Sequence, residues 1–260
     1  MTEINLILSS TFAKKQKQNY NQEAHDFTIH FYNPIQLNPN REYRMALKEI
    51  TEMAYSWHNI TMEYGNNKMK YREKGSDEWT EINFPDGNYS YSDLNEQIRS
   101  YMEDITLEFD MAQLRVEIIM PKDYSLDFSS GEFHKLIGFG KRVYTQVDAV
   151  DIDDGNYEYA SPQTPNITNG VDLICIHTDL TSRNVTDMRG DLLFCFSVIS
   201  RGISRSYPIH IEPIWPSYIP VNKSIINSIR VYITDAYGRT IKFNGTENSI
   251  LVTISDKLYN

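Results

Sequence analysis

Short segments of alternating apolar and polar residues, separated by turn residues, make up most of this 260-residue chain. A period of two places successive side chains on opposite sides of a strand, so HDFTIHF (25–31) and QLRVEIIM (113–120) predict strands. In YSYSDLNEQIRSYMEDI the apolar residues instead recur at intervals of three and four. That period predicts one helix, with Ser90 and Asp93 as its N-terminal capping pair. Many short strands with one helix predict an all-β fold, a β-sandwich or a jelly roll.

The domain organisation is predicted from the same pattern. We expect a flexible N-terminal arm over residues 1–24 and one domain over 25–260, with the helix and further loops inserted at about 57–165. Inside the insertion, NITMEYG and NKMKYRE predict a hairpin, EFHKLIGFG a single helical turn that fills a core, and the acidic run over 148–166 a loop or linker. Strands are predicted over the second half at 171–180, 191–199, 207–213, 226–235, 240–245 and 249–256.

Charge and composition limit the classes of partner. The net charge of -10 opposes general binding of nucleic acid, although Lys14, Lys15 and Lys17 form a small basic cluster in the predicted arm. The N-terminus MTEINLILSS lacks the basic region of a signal peptide, and no apolar stretch reaches the roughly 20 residues that cross a bilayer. We therefore expect a chain made inside the cell, without membrane insertion, whose two cysteines stay reduced.

The sharpest candidate for chemistry is Cys175, His177 and Asp179, which project from one side of a predicted strand. Zinc could bind Cys175 and His177 with Cys195 and another histidine, but the paired spacing of zinc sites is absent. We interpret the three as a buried thiol, a hydrogen-bonded histidine and a strand-end cap. DIDDG (151–155) lacks the ligand spacing of an EF-hand, and no phosphate-binding loop or serine-hydrolase motif occurs. We predict no catalytic residue, metal or cofactor.

Two predicted strands are apolar on both faces. In VDLICIHTDL, Val171, Leu173 and Cys175 face one way while Ile174 and Ile176 face the other. A strand with one face in water would alternate apolar with polar residues, so a second layer or another subunit is expected to cover it. INSIRVYI repeats the pattern at Ile226, Ile229, Val231 and Ile233.

Four segments, in order, resemble a known family: FPDGNYSYSDLNEQI, FHKLIGFG, NITNGVDLICIHTDL and INSIRVYITDAYGRTIKFNG. Between about residues 84 and 254 the chain is similar to the minor capsid (penton) proteins of Polinton (Maverick) elements and related virophages. The resemblance implies a single jelly roll of two four-stranded antiparallel sheets. It further implies homopentamers at the fivefold vertices of an icosahedral virion, bound to a double jelly-roll major capsid protein, and no enzymatic activity.

From this resemblance we expect a set of subunit-interface or motif residues. The three lysines Lys14, Lys15 and Lys17 suggest in addition that the arm contacts packaged DNA or threads under neighbouring subunits. The alternative is a glycan- or receptor-binding β-sandwich in which Trp57, Trp79 or Trp215 stacks on sugars, and a metal-dependent enzyme comes third. The expected interface or motif residues are Tyr89, Leu94, Phe133, Leu136, Ile137, Phe139, Ile174, Ile176, Asp235 and Tyr237.

Overall fold

A computed structural model describes residues 3–16, 23–122, 124–152, 155–181, 191–198 and 208–256. The chain divides into two compact units: Met1–Trp57 with Gly170–Asn260, and His58–Asn169. We call them the outer unit and the inserted unit. The chain is mostly β, as the sequence predicts. The inserted unit begins and ends near the predicted bounds of 57 and 165, but it is a compact unit with its own sheets where a helix and loops were expected.

The strands and helices follow in chain order. Helices are α1 (Ser10–Lys15), α2 (Tyr91–Tyr101) and α3 (Phe133–Leu136), and a 3-10 turn spans Gln146–Asp148. Strands are β1 (Glu3–Ser9), β2 (Asp26–Gln36), β3 (Arg44–Glu52), β4 (Lys68–Arg72), β5 (Thr80–Asn83), β6 (Thr106–Asp110), β7 (Arg115–Pro121), β8 (Ser125–Asp127), β9 (Val143–Tyr144), β10 (Val150–Asp151), β11 (Asn156–Ala160), β12 (Leu173–Thr178), β13 (Leu192–Ser197), β14 (Ile219–Pro220), β15 (Ile225–Thr234) and β16 (Ser249–Ser255).

The outer unit contains two four-stranded antiparallel sheets, ordered β1-β16-β3-β14 and β13-β12-β15-β2. Side chains of both sheets, such as Leu47 and Val252 of one and Phe27 and Ile176 of the other, belong to one buried apolar cluster. Burial of this shared core is the main stabilising term of the unit, at about 25 cal/mol per Å² of apolar surface removed from water.

The N-terminus differs from the predicted flexible arm. Strand β1 pairs along its whole length with β16, from Glu3 opposite Ser255 to Ser9 opposite Ser249. Ile4, Leu6 and Leu8 alternate along β1, and all three pack on the core of the outer unit. That alternation was present in the sequence, and it holds the segment in the sheet. Lys14 and Lys15 lie in α1, while Lys17 lies outside the described residues.

Strand β15 corrects the expectation of two apolar faces. Its pairing with β2 shifts register between Ile226 and Ser228, a β-bulge that resets the alternation of the strand. As a result the isoleucines on both sides of the bulge point inward. Ile226, Ile229, Val231 and Ile233 all belong to the same buried core.

The inserted unit has two further four-stranded sheets, ordered β10-β11-β7-β6 and β5-β4-β8-β9, around a second apolar cluster. The predicted helix is confirmed as α2, and so is its capping box. The Ser90 Oγ accepts the backbone N–H of Asp93 at 3.2 Å, and Asp93 accepts the N–H of Ser90 at 2.7 Å. The predicted helical turn is confirmed as α3.

Three other predictions are wrong. The hairpin of NITMEYG with NKMKYRE does not form, because β4 pairs with β5 and β8 instead. The predicted strands at 207–213 and 240–245 are reduced, in their described residues, to isolated bridges at Pro208, Ile211 and Thr240. The acidic run over 148–166 is no simple linker, since it contains β10 and β11.

Candidate functional site

The side chain of His177 is enclosed by neighbours on β15 and at the start of β13. Its ring stacks on Tyr232 with ring centroids 4.5 Å apart, and its Nε2 lies 3.0 Å from the Thr234 Oγ1. Its Nδ1 lies 3.3 Å from the Asp191 carboxylate, which also accepts the Tyr232 hydroxyl. A histidine between a carboxylate and a hydroxyl is the arrangement found in the catalytic triads of enzymes with a hydroxyl nucleophile. However, Thr234 is only 4% exposed, so a substrate cannot reach it.

Cys175 and Asp179, the other two members of the predicted set, make separate contacts. Asp179 accepts Lys223 Nζ at 2.7 Å and the backbone N–H of Arg230 at 2.9 Å, as the strand-end interpretation expects. Burial, and then the nearby Cys195 and Asp235, raise the pKa of the Cys175 thiol to about 11. At neutral pH this thiol stays protonated, which makes it a poor metal ligand or nucleophile.

The polar residues of this region therefore act as a network that ties strands together. Arg230 on β15 binds both carboxylate oxygens of Asp26 on β2, at 2.8 and 2.5 Å, and lies over the Tyr232 ring. Within the described ranges, no three His, Cys, Asp or Glu side chains are grouped so that they could hold a metal ion.

Most of the predicted interface residues lie in the cores of the chain's own units. The apolar ones are at most 1% exposed, and Asp235 is also 1% exposed. Such side chains have no surface to offer a partner, so their contribution is to the fold of the single chain. Those in the inserted unit are Leu94, Phe133, Leu136, Ile137 and Phe139, and those in the outer unit are Ile174, Ile176 and Asp235.

Both faces of β12 are covered within the single chain. Ile174 and Ile176 pack into the core of the outer unit, while Cys175 and His177 on the opposite face are 3% and 5% exposed. The apolar pattern of this strand therefore does not require a second subunit to cover it.

Tyr237 and Tyr89 are the two predicted residues with accessible surface. Tyr237 is 63% exposed, in a turn where the Asp235 carboxylate accepts the backbone N–H groups of Tyr237 and Arg239, each at 2.9 Å. Its ring lies against Gly170, where a Cβ would come within 2.2 Å of it. Tyr89 is half-buried, and its backbone N–H donates to Asn59 while its hydroxyl donates to the carbonyl of Pro85.

The most exposed apolar side chains of the outer unit were not selected as interface residues from the sequence. Ile214 and Trp215 are 86% and 89% exposed in a segment flanked by Pro213 and Pro216, and Tyr32 on β2 is fully exposed. The sequence did contain one signal of this exposure: the apolar pair stands between two prolines, and a proline lacks the backbone N–H that a strand needs to pair with its neighbour. Exposed aromatic residues of this kind are common at protein contacts.

None of the helices in the described part of the chain has the length and apolar character to cross a membrane. The chain matches no protein-family model and no curated protein. Its fold, however, resembles that of a penton protein. One similar solved structure is the crystal structure of the selenomethionine-labelled mavirus penton protein, with a TM-score of 0.51 and 12% sequence identity. The match covers 98% of this chain and 99% of that one. The chain therefore has a penton-like fold over its whole length.

Proposed function

We propose that this chain is a penton, or minor capsid, protein that forms homopentamers at the fivefold vertices of an icosahedral capsid. The observation that carries the proposal is the full-length similarity of fold to the mavirus penton protein, in both units and not only in the sandwich. A ring of five is a closed heterologous assembly, in which one surface of each copy meets a different surface of the next. The protein is then structural and located in the virion.

The outer unit, in this proposal, is a jelly roll. The pairings of its eight strands support this architecture: first with eighth (β1–β16), second with seventh (β2–β15), third with sixth (β3–β14) and fourth with fifth (β12–β13). A long hairpin of eight strands wrapped into two sheets has this order. The inserted unit enters between the third and fourth of these strands.

The proposed partner is a double jelly-roll major capsid protein that surrounds the pentamer. Among the exposed aromatic residues in the described part of the outer unit, Tyr32, Trp215 and Tyr237 offer the most surface for contacts between copies or with that neighbour. A DNA contact receives less support, because Lys14 lies in α1 and its ammonium group is 2.6 Å from the carboxylate of Glu247.

Native mass spectrometry of the full-length protein tests the proposal. We expect assemblies of five copies, either in the free protein or on co-expression with the major capsid protein, and we expect the protein at the vertices of the resulting shells in electron micrographs. A protein that stays monomeric in both settings, while shells close without it, overturns the proposal.

Glycan binding is a second candidate function, and one observation favours it. Of the three tryptophans proposed to stack on sugars, Trp57 is 2% exposed and Trp79 is half-buried beside Arg72, but Trp215 is 89% exposed. An exposed indole can stack on the apolar face of a sugar ring. The test is a glycan array with Trp215→Ala and, as a matched control, Met111→Ala, whose side chain is 75% exposed. Saturable binding that only Trp215→Ala removes supports this function, and no binding by the unmodified protein excludes it.

A further inference from the structure

Cys175 and Cys195 lie directly opposite each other on neighbouring strands. They are the only two cysteines in the sequence, and the antiparallel register of β12 and β13 pairs them with each other. Direct partners on antiparallel strands have Cα atoms about 4.5–5.5 Å apart and side chains on the same face of the sheet. That separation lies inside the range of about 4.4–6.8 Å that a disulfide spans.

The pairing is held on both sides by apolar residues. In the same register Ile174 pairs with Phe196, and Ile176 pairs with Phe194. Ile174, Ile176 and Phe196 belong to the core of the outer unit, and Phe194 packs against it. A slip of the strands by one residue would move these side chains out of the core, so the core fixes the two sulfur atoms on the same face.

The two thiols differ in access. Cys195 is exposed, whereas Cys175 is 3% exposed. A soluble oxidant can therefore reach the Cys195 sulfur first, and the Cys175 sulfur can react only with a neighbour already inside the protein. Because the buried thiol stays protonated at neutral pH, it attacks only a disulfide sulfur held beside it, such as that of a mixed disulfide on Cys195.

We propose that Cys175 and Cys195 form a cross-strand disulfide when the protein meets a disulfide oxidant such as oxidised glutathione. The Cys195 thiolate attacks one glutathione sulfur, forms a mixed disulfide and releases one glutathione thiolate. Cys175 then loses its proton to solvent and attacks the Cys195 sulfur, and the second glutathione thiolate leaves. Two protein thiols lose two protons and two electrons, and one glutathione disulfide is reduced to two thiols.

The disulfide would fasten an edge strand. Among the described strands, β13 is at the end of its sheet and pairs with β12. A disulfide between them closes a loop of about 20 residues in the unfolded chain and so favours the folded state. The disulfide would be absent during synthesis in a reducing cell and would link the edge strand to its neighbour once the protein enters an oxidising medium. This inference is independent of the proposed capsid function.

Intact mass spectrometry of the full-length protein in a series of oxidised-to-reduced glutathione ratios tests it. We expect the unmodified protein to lose the mass of two hydrogen atoms and to yield one Cys175–Cys195 peptide in a non-reducing digest. The melting temperature of the oxidised form should rise by about 5–10 °C over the reduced form. Cys195→Ser is the control that folds most safely because its side chain is exposed, and its melting temperature should not respond to the oxidant.

Cys175→Ser separates the two chemical steps. Without the resolving thiol, Cys195 should keep one glutathione, whereas in the unmodified protein that adduct should be transient. Three results overturn the inference in the unmodified protein: a stable glutathione adduct on Cys195, a disulfide between the Cys195 residues of two copies, or two free thiols at the most oxidising ratio.

Discussion

Asn59 ties together segments of the inserted unit that are far apart in sequence. Its side-chain amide donates to the carbonyls of Tyr89 at 2.8 Å and Ile167 at 2.7 Å, and its carbonyl oxygen accepts the Tyr89 N–H at 2.8 Å. The residue is only 5% exposed, so these bonds replace water that cannot enter. Asn59 also begins an N-x-T sequon, but its buried amide has no room for a glycan.

Asn59→Ala should lower the free energy of unfolding by about 3 kcal/mol, because three backbone groups would lose their partner inside the protein. Asn67→Ala is the matched control: its side chain makes a single 3.3 Å bond to the carbonyl of Phe84, and it should cost about 1 kcal/mol or less. Urea denaturation of both variants measures the difference. Equal losses would show that the three bonds of Asn59 contribute no more than the single bond of the half-buried Asn67.

Gly138 follows α3 at a position where two constraints on a side chain coincide. Its φ is +75°, which residues with a Cβ rarely adopt, and a Cβ built there would lie 2.2 Å from the backbone oxygen of Gln163. Gly75 has nearly the same φ, +74°, with nothing within 4 Å of its Cβ position. The two glycines therefore separate the cost of backbone strain from the cost of the close approach.

Gly138→Ala should lower the free energy of unfolding by roughly 2 kcal/mol more than Gly75→Ala, since the backbone near Gln163 must move as well. Gly75→Ala alone should cost about 1–2 kcal/mol from strain. Chemical denaturation of the two variants compares them within one unit. Similar losses would mean that the chain near Gln163 shifts without cost.

At the scale of whole elements, structure that depends on residues close together in the sequence was predicted correctly. Structure that depends on pairing between strands far apart in the sequence was missed. The α2 helix was predictable because Ser90 and Asp93 cap it three residues apart. The inward direction of Ile226 was not, since it depends on a bulge against β2. The hairpin after Asn59 failed for a similar reason, because β4 pairs with β5 and with the distant β8 instead of with the segment before it.

The same distinction separates the correct from the incorrect predictions about the candidate site. The ordered motifs predicted a penton-like fold, but an apolar sequence does not tell whether its own chain or a partner covers it. Ile174 and Ile176 are therefore core residues of the outer unit, where the sequence allowed either a second layer or another subunit to cover them. For Trp215 the sequence offered one signal, its place between Pro213 and Pro216.

The α3 helix contains a buried histidine that makes the inserted unit sensitive to pH. Burial is the main effect on His134, and it lowers the pKa of this side chain below its usual 6.5. The carboxylate of Glu132 and the carbonyl of Gly131 oppose this shift, whereas the positive charges of Lys135 and Lys141 add to it. Below about pH 6.5 the unfolded chain then binds more protons at this position than the folded one. The folded state therefore loses stability as the pH falls.

We expect the unmodified protein to lose more unfolding free energy between about pH 7.5 and 5.5 than His134→Gln, which cannot take up this proton. Urea titrations across this range measure the slopes. The idea fails if the slope of His134→Gln equals that of the unmodified protein.

At the scale of the whole molecule, the two units have separate cores. Every buried residue of one apolar cluster lies in the outer unit, and every buried residue of the other lies in the inserted unit. The ends of the inserted unit also lie close together. Besides the bond of Asn59 to Ile167, the Asn169 side chain reaches the Asn59 carbonyl at 3.5 Å. A unit with its own core and adjacent ends has the properties of an independently folding insertion.

Residues 58–169 expressed alone should therefore fold, and so should the outer unit when a short Gly/Ser linker joins Trp57 to Gly170. Each fragment should show dispersed amide resonances and a cooperative melt, because each keeps its own buried apolar cluster. The Asn59→Ala substitution offers an internal control: it should destabilise the 58–169 fragment as much as the full-length protein and leave the linked outer unit, which lacks it, unaffected. An unfolded 58–169 fragment would mean that the insertion depends on the outer unit for its stability.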